Sequence, residues 1–217
     1  MSIIMGVVTN KFVVMSSDSR AEMIDSDGTT IYRENFKKIF QVNNNTVIGF
    51  TGNSPISVLN SNGLLDIEDI NPKEYCEILF DMLGGGEIVS SKSFNVLILG
   101  KYSTVAGFGG SFHTDDGTLQ NSIIINDEKN IWTPILPPPT IDYEEIQQYY
   151  RSIIVNEFIN SKEEELIGRI KKINEKLIKK VAETDSSVNR RCRHIIINFE
   201  SNSNCIGNAT SNHEMAD

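Results

Sequence analysis

The chain has 217 residues, 39% of them hydrophobic, and a formal net charge of −9 at pH 7. That length suits one domain around one sizeable core, because single cores stop growing near roughly 250 residues. The acidic balance argues against nucleic acid, whose phosphates need a concentrated basic patch, and no stretch is apolar and long enough to span a bilayer.

The N-terminus lacks the basic and continuously apolar regions of a secretory signal, so the expected location is cytoplasmic. Cys76, Cys192 and Cys205 have no paired short spacing and read as reduced thiols. His113, His194 and His213 are far apart and in no metal-ligand pattern, so no metal and no cofactor are expected.

Along the chain, residues 3–8 and 12–16 are β-rich runs around a Thr9-Asn10-Lys11 turn. Residues 29–33 and 36–42 read as a second hairpin, and 46–50 as a fifth strand after the Asn43-Asn44-Asn45 turn. Pro55 suits a first helical turn, interrupted by Asn60-Ser61-Asn62-Gly63. Asn71-Pro72 opens a short helix with Tyr75, Ile78, Leu79 and Met82 on one face, and Gly84-Gly85-Gly86 stops it.

Residues 93–100 form a continuous apolar run expected as a buried strand. Short strands near 104–107, 122–125 and 131–133 read as a meander, ended by the stiff Pro137-Pro138-Pro139 connector. Asp142 with Glu145 and Ser161 with Glu164 give two capping boxes for two long helices. Their apolar stripes are Ile146, Tyr149, Ile153 and Ile154, then Leu166, Ile170, Ile173, Leu177 and Val181. Residues 194–199 are a last strand, and 201–217 a polar tail expected to be disordered. The order of strands, helices, strands, two helices and strand indicates an α+β fold, with sheets between helical layers rather than alternating βαβ units.

Ser2 begins the first strand, preceded only by a methionine of the kind that is trimmed before small residues. Trimming would leave one residue carrying a hydroxyl and a free α-amine, a nucleophile and a base together. An α-amine titrates near ~8 and can accept a proton at cytoplasmic pH. The plainer alternative is a serine that merely starts a strand. Lys38 shares a strand face with Phe36 and Phe40, while Lys37 faces the other way with Ile39 and Gln41. That alternation favours an inward Lys38 over two solvated edge lysines.

The ordered segments Ser17-Asp18-Ser19-Arg20-Ala21, Lys37-Lys38-Ile39 and Gly49-Phe50-Thr51-Gly52 resemble the N-terminal nucleophile (Ntn) hydrolases of the proteasome β-subunit type and their bacterial relatives. The match is strong over residues 2–53 and a pattern of elements to about residue 200, which gives a domain at 1–200. The resemblance implies a four-layer αββα sandwich. It also implies Ser2 as nucleophile, Lys38 as the cation beside it, and Asp18 as the carboxylate paired with that lysine. Gly52 would supply the oxyanion-binding N–H, Asp185 would support the terminal amine, and Arg20, Ala21 and Phe50 would line a pocket for a small side chain.

The chain departs from that family at Val188-Asn189-Arg190-Arg191, where Ser-Gly-Gly or Val-Gly-Gly is usual, and at the triple proline, which replaces a Gly-Ser-Gly entry to the first long helix. The function so implied is cleavage of peptide or amide bonds through an acyl-enzyme on Ser2, with Met1 removal sufficing for maturation. Ring or helical homo-oligomers and an ATP-dependent unfoldase are the partners implied. Two alternatives stay open: a small-molecule amidase or acylase, and a non-catalytic scaffold or binding subunit that retains Met1.

Overall fold

Strand β1 (Ile4–Val8) is buried along its whole length, because both of its faces meet protein. Its odd-numbered positions Met5 and Val7, with Ile3 before them, pack under two long helices, while Ile4 and Val8 point into the space between two sheets. The computed structural model describes residues 2–52, 56–83, 94–113 and 119–199. Over these, β2 (Phe12–Asp18), β3 (Ala21–Ile24), β4 (Thr30–Arg33), β5 (Ile39–Gln41) and β6 (Thr46–Gly52) follow β1. Helices α1 (Ile56–Ser61) and α2 (Pro72–Leu83) come next, then β7 (Phe94–Ser103), β8 (Ala106–His113), β9 (Leu119–Ile125) and β10 (Ile135–Leu136). Helices α3 (Tyr143–Asn160) and α4 (Glu163–Thr184) and strand β11 (Cys192–Asn198) complete the described chain.

One large sheet runs β10-β1-β2-β11 and a second β5-β6-β7-β8-β9, with β3-β4 as a separate two-stranded ribbon, every pairing antiparallel. Three apolar clusters separate four layers. The first joins β1 and β2 to Ile146, Tyr150 and Ile154 of α3 and Leu166, Ile170, Leu177, Ile178 and Val181 of α4. The second joins the outer face of the five-stranded sheet to Tyr75, Cys76 and Leu79 of α2. The third lies between the sheets, with Ile4, Val13 and Met15 against Val47, Leu97 and Leu99. The architecture is the αββα sandwich. Close approach of the sheets needs a missing side chain at Gly6, where a Cβ would come within 2.4 Å of Leu99 Cδ1.

A polar chain crosses the helix-facing core. The Tyr150 hydroxyl donates to Asn174 Oδ1 at 3.0 Å, and Asn174 Nδ2 donates to Ser16 Oγ at 2.8 Å. Ser16 Oγ lies 2.8 Å from His194 Nδ1, and His194 Nε2 lies 3.2 Å from Glu175 Oε1. Every donor has a distinct acceptor if Ser16 donates to Nδ1 and the imidazole carries its proton on Nε2 toward Glu175. Burial pushes the His194 pKa down, and the Glu175 hydrogen bond only partly offsets it.

Several elements differ from the sequence reading. The second hairpin pairs Ala21–Ile24 with Thr30–Arg33, not residues 29–33 with 36–42; β5 pairs with β6 instead. The stretch at 131–133 leaves the meander, and Trp132 bridges Val8 while β10 pairs with β1. Asp142 does cap α3, accepting from the Glu145 N–H at 2.8 Å. Ser161, expected to cap α4, instead ends α3 and donates to Glu157 Oε2 at 2.8 Å, so α4 begins after Lys162 without a side-chain cap. On α3 the buried aromatic is Tyr150, whereas Tyr149 is exposed, and on α4 a polar Asn174 sits within the apolar stripe. The glycine stop at 84–86, Pro55 and the tail at 201–217 lie outside the described residues. No helix among the described residues is long and apolar enough to cross a membrane.

Candidate active site

The site is built where the start of β1 meets the end of β2. Antiparallel pairing of Ile4 with Ser17 brings residue 3 beside Asp18, and the two exchange hydrogen bonds. The Asp18 N–H donates to the Ile3 carbonyl at 3.3 Å, and the Ile3 N–H donates to Asp18 Oδ1 at 3.1 Å. Ser2, immediately before, is buried at 7% exposure.

Lys38 arrives from the other sheet, one residue before β5. Its Nζ lies 2.6 Å from Asp18 Oδ1, and its backbone carbonyl accepts the Phe50 N–H at 3.1 Å. Lys37 is exposed, with its ammonium 4.7 Å from the centre of the Phe40 ring. Burial pulls the Lys38 ammonium below the ordinary lysine range, while the Asp18 carboxylate opposes that fall by charge and hydrogen bond. Asp18 accepts a further hydrogen bond on Oδ2 from the Arg20 N–H at 2.9 Å. Its carboxylate therefore faces one cation and two backbone donors, which compensates its complete burial.

Gly52 ends β6 on the strand that holds the Lys38 carbonyl, at φ 87, a conformation that glycine adopts without steric cost. Ala21 starts β3, paired with Arg33. The Arg20 guanidinium stacks 5.1 Å from the Tyr32 ring centre, donates from Nε to Glu34 Oε1 at 2.6 Å, and from Nη1 to the Ser186 carbonyl at 2.6 Å. Phe50 is 2% exposed, and its ring packs with Phe40 and Phe94 in the outer core.

Asp185 closes α4, its N–H donating to the Val181 carbonyl. Its Oδ1 accepts from the Ser187 N–H at 2.7 Å and the Ser187 hydroxyl at 2.5 Å, and its Oδ2 accepts from the Thr140 hydroxyl. Burial acts to raise its pKa, but these hydrogen bonds prevail and hold it below the ordinary carboxylate value. The loop after Asp185 docks on the turn after Asp18 through Ser186 and Asn189.

The structure thus joins Asp18, Lys38 and Ile3 by direct hydrogen bonds, with Ser2 next to them. Gly52 lies on the adjoining strand, and Asp185 connects through the loop at 186–189. Glu34, Asn189, Thr140 and Ser187 take part without having been expected from sequence. Ser187 had a local signal, a hydroxyl two residues after an aspartate, which commonly closes a turn. Thr140 and Asn189 act on partners far away in the chain, and nothing in their own neighbourhood marks them. Among the described residues, no group of three or more His, Cys, Asp or Glu is placed to hold a metal ion.

The profile of the family described as "Proteasome subunit" matches residues 2–55, the segment that supplies Ser2, Asp18, Lys38 and Gly52. Among solved structures, the crystal structure of eukaryotic HslV from Trypanosoma brucei superimposes with a TM-score of 0.54 at 11% sequence identity, covering 90% of this chain and 99% of that one. No curated protein sequence matches the chain. Residues 2–55 are thus similar to proteasome subunits, and the chain along most of its length is folded like HslV.

Proposed function

We propose that the chain hydrolyses peptide or amide bonds with Ser2 as N-terminal nucleophile once Met1 is removed. The observation that carries this reading is the buried Lys38–Asp18 pair, whose carboxylate also holds the N–H of the residue after Ser2. A cation fixed beside a terminal amine keeps that amine uncharged at neutral pH, and so able to take a proton.

In the reaction, Ser2 Oγ bonds to the substrate carbonyl carbon as its proton passes to the Ser2 α-amine. The carbonyl oxygen becomes an oxyanion facing the Gly52 N–H. Collapse breaks the C–N bond, and the α-ammonium returns the proton to the leaving amine. Water then cleaves the Ser2 ester by the same path, and regenerates the hydroxyl. Lys38 supplies positive charge throughout, Asp18 orients it, and Asp185 supports the amine from the α4 side. Arg20 and Ala21 border the pocket for the residue before the cleaved bond, while the Phe50 ring is taken up by the outer core.

The active unit is one domain over residues 1–200 in a cytoplasmic homo-oligomer, ring or helical, fed with peptide or amide substrate and open to an ATP-dependent unfoldase. The test is intact mass before and after exposure to a β-lactone. Loss of one methionine and gain of a single adduct on Ser2, absent in Ser2→Ala, is the expected result. A mass that retains Met1 and takes up no adduct would overturn the reading in favour of a non-catalytic subunit.

A further inference from the structure

Asp18 ends β2 and is followed at once by a stretch outside any strand, residues 19–20, while Lys38 itself lies in another, residues 34–38. One side-chain amide from a third stretch is bonded to both. Asn189 is 6% exposed. Its Oδ1 accepts the Ser19 N–H at 3.0 Å, and its Nδ2 donates to Ser19 Oγ at 3.1 Å and to the Glu34 carboxylate. From these two partners the connections run directly into the site. The Ser19 carbonyl accepts the Phe36 N–H at 2.8 Å, two residues before Lys38. Glu34 accepts the Arg20 side chain, and the Arg20 N–H donates to Asp18 Oδ2.

Two arginines from the same part of the chain reinforce this arrangement. Arg191 donates to Asn35 Oδ1 at 2.7 Å and Arg193 to the Asn35 carbonyl at 3.1 Å, holding Asn35 at φ 61. The Asn189 hydrogen bond is also the leading influence that holds the Glu34 carboxyl below its ordinary pKa, against the opposing effect of burial and with help from Arg20. An amide suits this place because it must accept from a backbone N–H and donate to a carboxylate at once. A carboxylate could not donate, and the glycines usual here in the family could do neither.

We propose that Asn189 is a positioning residue for the Ser2 centre, its amide fixing the Asp18–Lys38 contact by locking the turn just after Asp18 to the stretch that carries Lys38. This inference rests on the reading of Ser2 as nucleophile for its effect on reactivity, though its effect on Lys38 stands apart from it. Without the amide, Ser19 and Glu34 lose partners, residues 34–38 separate from residues 19–20, and water reaches Lys38.

The test compares Asn189→Leu with the double variant Asn189→Asp/Glu34→Gln, which keeps the wild-type net charge and restores the bridge with its polarity reversed. Two readouts are taken on the full chain: the rate of β-lactone labelling at Ser2, and the NMR titration of Lys38 in protein with ¹³C-labelled lysine, assigned by Lys38→Arg. Asn189→Leu should lower the labelling rate by about tenfold to a hundredfold, the scale of a small misplacement in an active site. It should also move the Lys38 titration up toward that of an ordinary lysine, and the double variant should return both toward wild type. An unmoved Lys38 titration in Asn189→Leu overturns the proposal, as does a double variant that titrates like the leucine variant. Should Asn189→Leu not fold, the double variant decides, because a displaced Lys38 titration there overturns the proposal and a wild-type one upholds it. A wild-type chain that takes no label at Ser2 defeats the hydrolase reading alone and leaves the Lys38 titration to decide this one.

Discussion

The Lys38 ammonium meets the Asp18 carboxylate at 2.6 Å where the lysine side chain is 3% exposed and the aspartate not exposed at all. A pair this dry depends on both partners, since either charge left alone keeps its desolvation cost. Lys38→Met should therefore lower stability by about 3–5 kcal/mol. Adding Asp18→Asn removes the stranded charge and should recover part of that loss, though not all. The asparagine would accept less well from the Ile3 and Arg20 N–H groups that now share the carboxylate. Urea unfolding of the wild type and these two variants checks this, and a Lys38→Met chain as stable as wild type would show that the pair is solvated in solution.

Stability should also fall as pH drops through the histidine range, because of His194. Its folded pKa is depressed from the ordinary 6.5, mainly by burial. As pH falls below 6.5, the unfolded chain binds this proton first, so unfolding is favoured until the lower folded pKa is passed. The charged groups around the ring are Glu175, which pulls the pKa up, and Lys171, which pushes it down. His194→Gln should remove this component while leaving the slope from carboxylates at lower pH. Melting curves between pH 7 and pH 5 give the comparison, and equal slopes in the two proteins would rule the histidine out.

Gly52 holds φ at 87 at the end of β6. An alanine there must enter the left-handed region, at a cost of about 1–2 kcal/mol, or else let the backbone turn. If the backbone turns, the residue-52 N–H swings away from the place assigned to the oxyanion. Gly52→Ala should thus either lose stability on that scale or keep stability and lose labelling at Ser2. A variant unchanged in both would remove Gly52 from the site.

Local chemistry was legible in the sequence, and long-range chemistry was not. Asp142 and Asn71 announce helix starts because a cap acts within three residues of itself. The same rule misled at Ser161, since a serine after one helix and before another satisfies the pattern for both, and geometry gave it to α3. Lys38 is buried as strand alternation suggested, but the strand begins only after it, and Ile39, read as outward-facing, is buried as well. The lysine's partner twenty residues away was visible only through a family resemblance. Asn174 was invisible as a buried group because its polarity hides its place on the apolar stripe, and its partners Ser16 and Tyr150 lie on other elements. Asn189 looked like a mere departure from a glycine pattern. Its meaning depends on Ser19 and Glu34, each more than a hundred residues earlier.

The sheet that carries Ser2 has the strand order β10-β1-β2-β11, so β2 at residues 12–18 finds its outer neighbour only at residues 192–198. A chain emerging from the ribosome N-terminus first must make most of its length before that edge of β2 can be covered. Closing so long a loop is entropically costly and slows folding. Until then β2, apolar on both faces, has one side open to pairing with any other strand, and newly made chains are most exposed to misassembly in that interval. Assembly of the Asp185 and Asn189 contacts waits for the same late segment, so the centre around Ser2 is completed only when the far end of the fold arrives.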